Sequence, residues 1–87
     1  MTGQKMQELA DQAVRELRRE GRIFAIDHIR KEKGLWEIAF SHRKTLLKVF
    51  IDVETHNTED ATYQEIWRQL VGLAEMIEKR PPSKRTG

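Results

Sequence analysis

Apolar residues change their spacing twice along this chain, and that change restricts the possible folds more than any other feature. From about Gln4 to Glu20 they recur at steps of three and four, the period of an amphipathic helix. From Arg22 to Val53 they alternate with polar residues, which is the period of a strand with one buried face. A helical stripe then resumes and stops before Pro81-Pro82, because a helix interior does not accommodate proline.

The alternating region predicts three strands separated by two charged turns, Arg30–Gly34 and Ser41–Lys44. Short connections favour antiparallel neighbours, so the strands should form a meander. We therefore expect an α+β fold in the order α-β-β-β-α, in which a three-stranded antiparallel sheet packs against two helices as a two-layer sandwich. The pattern leaves open whether both helices cover one sheet face or one helix covers each.

A chain of 87 residues is long enough for one hydrophobic core. We expect a single domain over residues 1–80 and a disordered basic tail over residues 81–87. The second helix should begin at a cap formed by Asn57 or Thr58, or at a capping box formed by Thr62 and Glu65.

The composition excludes several classes of function. The sequence contains no cysteine, which removes disulfides, thiolate nucleophiles and cysteine-based metal sites, and which suits a reducing cytoplasm. Its apolar runs are far shorter than the ~20 residues of a membrane-spanning helix, and the first residues lack the apolar segment of a signal peptide. We expect a cytoplasmic protein without a membrane segment.

A net charge of +2 hides an uneven distribution. Residues 15–48 include ten basic and five acidic side chains, residues 49–78 include one basic and seven acidic side chains, and residues 79–87 add four basic ones. In a meander, the second turn lies at the same end of the sheet as the end of the first helix, and a basic cluster there suits phosphate. The predicted nucleic-acid-binding residues are Arg18, Arg19, Arg22, Arg43, Lys44, Lys84 and Arg85. The alternative is an ordinary solvated surface.

The α-β-β-β-α order is similar to that of double-stranded-RNA-binding domains and of several small toxin and inhibitor folds. In the RNA-binding domains, the resemblance implies a lysine cluster at the start of the last helix that meets phosphates. Here that helix begins with Thr58-Glu59-Asp60, which is acidic.

The second sheet face is half apolar, which indicates a surface for a protein partner or a homodimer. The alternating register places Ile29 on this face, and Phe50 is the expected anchor. The predicted interface residues are Ile23, Ala25, Ala39, Leu46, Lys48 and Phe50. The alternative is that a helix covers this face and makes it core.

Enzymatic sites have weaker support. An extended chain would place Asp52, Glu54 and His56 on one face at steps of ~6.6 Å, an oxygen-rich arrangement that suits Mg²⁺ or Mn²⁺. Ile51-Asp52-Val53-Glu54 resembles the acidic strand motif of PD-(D/E)xK nucleases, although Glu54 stands at the lysine position of that motif. We expect a non-enzymatic binding module without a metal or cofactor, with a protein-binding module as the alternative and a metal-dependent nuclease as the third hypothesis.

Overall fold

The polypeptide forms two helices and three strands in the predicted order. The computed structural model describes residues 2–79. The elements are α1 (Gly3–Arg19), β1 (Ala25–Glu32), β2 (Leu35–His42), β3 (Thr45–Asp52) and α2 (Glu59–Glu78). The sheet order is β1-β2-β3, and both pairs are antiparallel. The α-β-β-β-α meander is thereby confirmed. The expectation of a disordered tail over residues 81–87 lies outside the described residues.

Both helices begin at threonine caps. The Thr2 hydroxyl accepts the backbone N–H of Lys5 at 3.1 Å, and the Thr58 hydroxyl accepts that of Ala61 at 3.1 Å. Thr58 is thus the cap of α2. Thr62 lies buried one turn later and donates its hydroxyl to the carbonyl of Thr58 at 2.7 Å, so it does not cap the helix. Within residues 2–79, neither helix is sufficiently long and apolar to cross a bilayer.

The two hairpin turns are two residues long and have the same backbone shape. Lys33 and Gly34 have φ angles of 53° and 77°, and Arg43 and Lys44 have φ angles of 53° and 65°. Paired left-handed residues give a turn whose twist matches that of the flanking strands. Glycine adopts this conformation without steric cost, whereas a residue with a Cβ does not. The β2–β3 turn therefore holds two strained basic residues.

A β-bulge at Asp27 changes the register of β1. Ile26 lies opposite Phe40, but the next pair is His28 with Ala39, so Asp27 has no partner of its own on β2. Beyond the bulge, Ile29 lies opposite Ile38 on the helix-covered face. The prediction that Ile29 lies on the open face is wrong, because the extra residue reverses the alternation.

Both helices cover the same sheet face, which resolves the question that the sequence left open. Their buried side chains join those of the strands in one hydrophobic cluster. Its members are Met6, Leu9, Ala10, Ala13, Val14, Leu17, Phe24, Trp36, Ile38, Phe40, Leu47, Val49, Ile51, Ile66, Leu70 and Ala74. The opposite side of the sheet, called here the outer face, carries no helix from residues 2–79.

Ala39 corrects the predicted interface. It lies on the outer face of the central strand, between His28 on β1 and Lys48 on β3, and its exposed fraction is 0%. A methyl group is short enough for the longer side chains beside it to cover it. Ala39 is therefore not available to a partner.

Candidate functional site

Five of the predicted phosphate-binding residues lie at one end of the molecule. The pairing of Ala25 with Ser41 brings the β2–β3 turn beside the connection between α1 and β1. We call this region the basic end; its residues are Arg18, Arg19, Arg22, Arg43 and Lys44. Four of the five are exposed, and Arg22 is half-buried. Lys84 and Arg85 lie outside the described residues.

Arg22 differs from the other four because it is paired. Its Nε donates to Glu78 Oε2 at 3.2 Å, and its Nη2 donates to Glu78 Oε1 at 3.2 Å. This fork joins the α1–β1 connection to the last turn of α2. The hydrogen bonds from Arg22, followed by that with His42 and by the charges of Arg22 and Arg43, lower the pKa of Glu78. Arg22 is thus partly committed to a structural ion pair.

His42 fixes the base of the β2–β3 turn. It is buried, and its Nδ1 donates to the carbonyl of Ile23 at 3.0 Å. Its Nε2 lies 3.3 Å from Glu78 Oε2, and its ring stacks on Phe24 with centroids 4.4 Å apart. The next two residues along the chain are Arg43 and Lys44. His42 therefore anchors the turn against the α1–β1 connection and the last turn of α2, and the side chains of Arg43 and Lys44 beyond it are exposed.

The outer face has a charged centre. The Glu37 carboxylate Oε2 lies 3.0 Å from His28 Nε2, 3.4 Å from Arg30 Nε and 4.0 Å from Lys48 Nζ. Asp27 Oδ2 lies 2.9 Å from the other ring nitrogen of His28. Hydrogen bonds to Glu37 and Asp27 raise the pKa of His28, and the bond with His28, with the charges of Arg30 and Lys48, lowers the pKa of Glu37. These shifts favour the charged form of both groups.

Exposed apolar side chains lie around this charged centre. Leu46 is 54% exposed and Phe50 is 43% exposed, with Lys48 between them on β3. Ile23, which precedes β1, is 57% exposed, and Ala25 is also exposed. Of the predicted interface residues, only Ala39 is inaccessible.

Gln69 closes part of the free edge of β3, a contact that the sequence analysis missed. Its Oε1 accepts the backbone N–H of Phe50 at 3.1 Å, and its Nε2 donates to the carbonyl of Phe50 at 2.8 Å. The side-chain amide thus takes the place of a neighbouring strand. Glu65 Oε2 accepts the same Nε2 at 2.7 Å, and hydrogen bonds from Arg68 and Gln69 lower the pKa of Glu65 to about 2.

The predicted acidic site does not form an extended row. β3 ends at Asp52, and the chain turns through residues 53–55, so Asp52, Glu54 and His56 do not share one strand face. The Asp52 side chain accepts the Glu54 backbone N–H at 2.8 Å, and His56 Nε2 lies 3.6 Å from Glu65 Oε1. Within residues 2–79, no three His, Asp or Glu side chains are grouped to hold a metal ion.

No protein-family model matches the chain, and no curated protein or solved structure is similar to it. The geometry of the surfaces therefore carries the functional argument.

Proposed function

We propose that the protein is a non-enzymatic module that binds the phosphate backbone of nucleic acid through its basic end. The observation that supports this most is the β2–β3 turn, where Arg43 and Lys44 both have positive φ angles. The proposal includes a cytoplasmic location, which the cysteine-free sequence suits.

The backbone of the β2–β3 turn is strained at Arg43 and Lys44. The left-handed conformation costs about 1–2 kcal/mol for a residue with a Cβ. Asn-Gly forms the same turn with little strain. Strained backbone is concentrated at functional sites, and two cations at an exposed tip suit contact with an anionic ligand. Arg43-Lys44 therefore makes the fold less stable than Asn-Gly would, and it places two positive charges at the tip of the turn.

Most cations of the basic end are free to contact a phosphate. Within residues 2–79, the side chains of Arg18, Arg43 and Lys44 form no ion pair, and Arg19 pairs with Glu16 at 3.4 Å where both are exposed. Exposed pairs of this kind contribute little and are readily exchanged. The basic end thus offers several cations that can bind phosphate oxygens without breaking a buried contact. Such contacts position a duplex without reading its sequence.

Fluorescence anisotropy with short labelled DNA and RNA at several salt concentrations tests the proposal. Each phosphate contact on duplex DNA contributes a slope of about −0.9 in log K against log salt. An Arg43→Asn/Lys44→Gly variant removes both charges and favours the turn backbone. We expect its slope to be smaller in magnitude by about two and its affinity to fall at every salt concentration.

The opposite hairpin turn supplies a matched control. Lys31→Gln/Lys33→Asn also removes two positive charges and leaves an Asn-Gly turn, because Gly34 follows Lys33. This control should retain a larger salt dependence than the tip variant. Equal losses in both variants would show that net charge and not the basic end controls binding, and binding that is unchanged in the tip variant would contradict the proposal.

The outer face favours a second candidate function, a homodimer in which two outer faces pack together. Phe50 and Leu46 remain exposed there, and within residues 2–79 no helix covers them. A twofold axis parallel to β2 would place Phe50 and Leu46 on β3 of one copy over Arg30 and Ala25 on β1 of the other, so the exposed apolar side chains would be covered.

Light scattering during size-exclusion chromatography tests the dimer. Phe50→Glu should convert a dimer to a folded monomer, because a carboxylate would be buried in the interface. Gln12→Glu is the control, since Gln12 is exposed on α1, which covers the opposite face of the sheet. A monomeric parent protein at every concentration, or a dimer that survives Phe50→Glu, would exclude this candidate.

A further inference from the structure

A cavity of about 220 Å³ lies at the end of the molecule that carries the β1–β2 turn, opposite the basic end. Its wall combines residues from α1, from the sheet and from the segment that precedes α2. The lining residues are Met6, Lys31, Trp36, Val53, His56 and Asn57.

Trp36 is the residue that distinguishes this cavity from an ordinary surface cleft. Its side chain is only 6% exposed, and its Nε1 is a buried atom that has no hydrogen-bond partner within residues 2–79. An indole nitrogen can only donate, so this group requires an acceptor. A buried donor without a partner costs about 1–3 kcal/mol. A ligand oxygen would remove that cost.

The charge around Trp36 favours a negative ligand. Lys31 places its Nζ 5.5 Å from the centroid of the Trp36 ring. Asn57 is exposed and precedes the cap of α2, and Met6 belongs to the first turns of α1. The positive end of the α1 dipole therefore lies near the cavity, where it stabilises an anion, whereas Glu59 and Asp60 in the first turn offset the positive end of α2. His56 Nε2 lies 3.6 Å from Glu65 Oε1, so this ring already has an acidic partner and we assign it no contact with the ligand.

The rest of the wall sets the size and polarity of the ligand. Met6, Val53 and the Trp36 ring present apolar atoms to the cavity. Its volume corresponds to about seven water molecules at ~30 Å³ each. That space suits an acid with a short hydrocarbon body better than a bare inorganic ion.

We propose that this cavity binds a small organic carboxylate. One carboxylate oxygen accepts the Trp36 N–H, the Lys31 ammonium pairs with the charge, and the hydrocarbon body packs against Met6 and Val53. Lys31 lies across the indole ring and is exposed, so rotation of its side chain, a motion of picoseconds to nanoseconds, opens the ring edge to the ligand.

The indole N–H resonances of ¹⁵N-labelled protein provide a direct test. Trp36 and Trp67 each give one signal, and Trp67 serves as an internal reference because it does not line this cavity. We expect isovalerate to shift the Trp36 signal in a saturable manner with a dissociation constant on the order of millimolar. N-acetyl-leucine, which imitates the carboxylate at the end of a peptide, distinguishes a free acid from a chain terminus as the source of the group.

Two variants test the assigned contacts. Trp36→Phe retains an aromatic ring without the donor and should weaken isovalerate binding about tenfold or more, measured through the backbone amide of Asn57. Lys31→Gln changes only an exposed side chain and should weaken it about threefold, whereas Lys33→Gln should leave it unchanged.

Three results would overturn the proposal. In the first, neither isovalerate nor N-acetyl-leucine shifts the Trp36 signal. In the second, inorganic phosphate shifts it and the carboxylates do not. In the third, Lys31→Gln binds isovalerate as strongly as Lys33→Gln and the parent do.

Discussion

Arg43 and Lys44 provide a measurable test of strain at the residue scale. Both have positive φ angles, and the Lys33-Gly34 turn has the same shape with a glycine at its second position. We expect Lys44→Gly to raise the free energy of unfolding by about 1 kcal/mol, because glycine adopts the left-handed conformation without a Cβ clash. Urea denaturation monitored by circular dichroism measures this change.

Gly34→Ala is the reciprocal control for this prediction. A Cβ at Gly34 would lie 3.6 Å from Val53 Cγ2, an ordinary contact, so any loss reflects the φ angle of 77°. We expect a loss of about 1 kcal/mol. If Lys44→Gly lowered stability instead, the Arg43-Lys44 turn would not be strained, and the main argument for its function would fail.

Single residues also show where sequence reasoning ends. Thr58 could be predicted as a cap because capping depends on neighbours within one helical turn. The pairing of Arg22 with Glu78 could not, because the partners are separated by 56 positions and meet only when α2 packs beside the α1–β1 connection. The lack of a hydrogen-bond partner for Trp36 Nε1 within residues 2–79 could not be predicted either, because such a partner could come from any part of the fold.

At the element scale, β3 depends on α2 for its free edge. Gln69 makes two hydrogen bonds to Phe50 and one to Glu65. We expect Gln69→Ala to lower the free energy of unfolding by about 1.5 kcal/mol or more, since three hydrogen bonds are lost and each contributes at least about 0.5 kcal/mol. The opened edge should also make the protein self-associate at high concentration. Urea denaturation and light scattering measure the two effects.

Gln64→Ala is the appropriate control for Gln69→Ala. Gln64 is exposed on α2, and the substitution changes helix propensity by the same amount. A Gln69→Ala protein that matches this control in stability and stays monomeric would mean that the amide contacts do not protect the strand.

The strands show why element order is easier to predict than register. Alternation predicted three strands because it persists along β2 and β3 and along part of β1. The bulge at Asp27 reverses the alternation at one position, and its sole trace in the sequence is the three-residue spacing between Ile26 and Ile29, which one strand face cannot accommodate. That spacing is consistent with the position of Ile29, which is partly buried against the core.

At the scale of the whole molecule, the ion pairs predict how stability depends on pH. Hydrogen bonds and charges lower the pKa of Glu37, Glu65 and Glu78 from 4.5, to about 2 for Glu65. The contributions of these three carboxylates to the free energy of unfolding are present above pH 4.5 and are lost as pH falls through the lowered pKa values. The pKa of His28 is raised from 6.5, so its contribution is present below pH 6.5 and is lost as pH rises through the raised value.

The free energy of unfolding should therefore be largest between about pH 4.5 and 6.5. Urea denaturation from pH 3 to 9 measures the profile, and high salt should flatten it because these groups lie near the surface. His28→Gln should remove the decline on the alkaline side and reduce the acid-side decline only by the part due to Glu37, because Glu65 and Glu78 keep the partners that lower their pKa. An unchanged alkaline decline in that variant would show that another group causes it.

One apolar stripe on each helix and one strongly apolar sheet face favour a two-layer arrangement, although the sequence pattern also allowed one helix on each face. The burial of both stripes against that face follows from the need to remove them from water. The candidate sites could be predicted only in part. The meander fixed which turn lies beside α1, but the cavity at Trp36 requires the packing of three separate segments.

The Gln69 contact has a consequence for how the protein is made. Gln69 follows Phe50 by 19 positions, so a ribosome that adds about 5–20 residues per second completes β3 about one to four seconds before it supplies the amide that covers the strand. Until Gln69 has also left the ribosome and α2 has docked, the sheet presents this edge, and Lys48 and Asp52 are the charged residues of β3 that discourage pairing with a neighbouring chain. Slower docking of α2 would lengthen this exposure, so substitutions that weaken α2 should lower the soluble yield more than equally destabilising substitutions in α1.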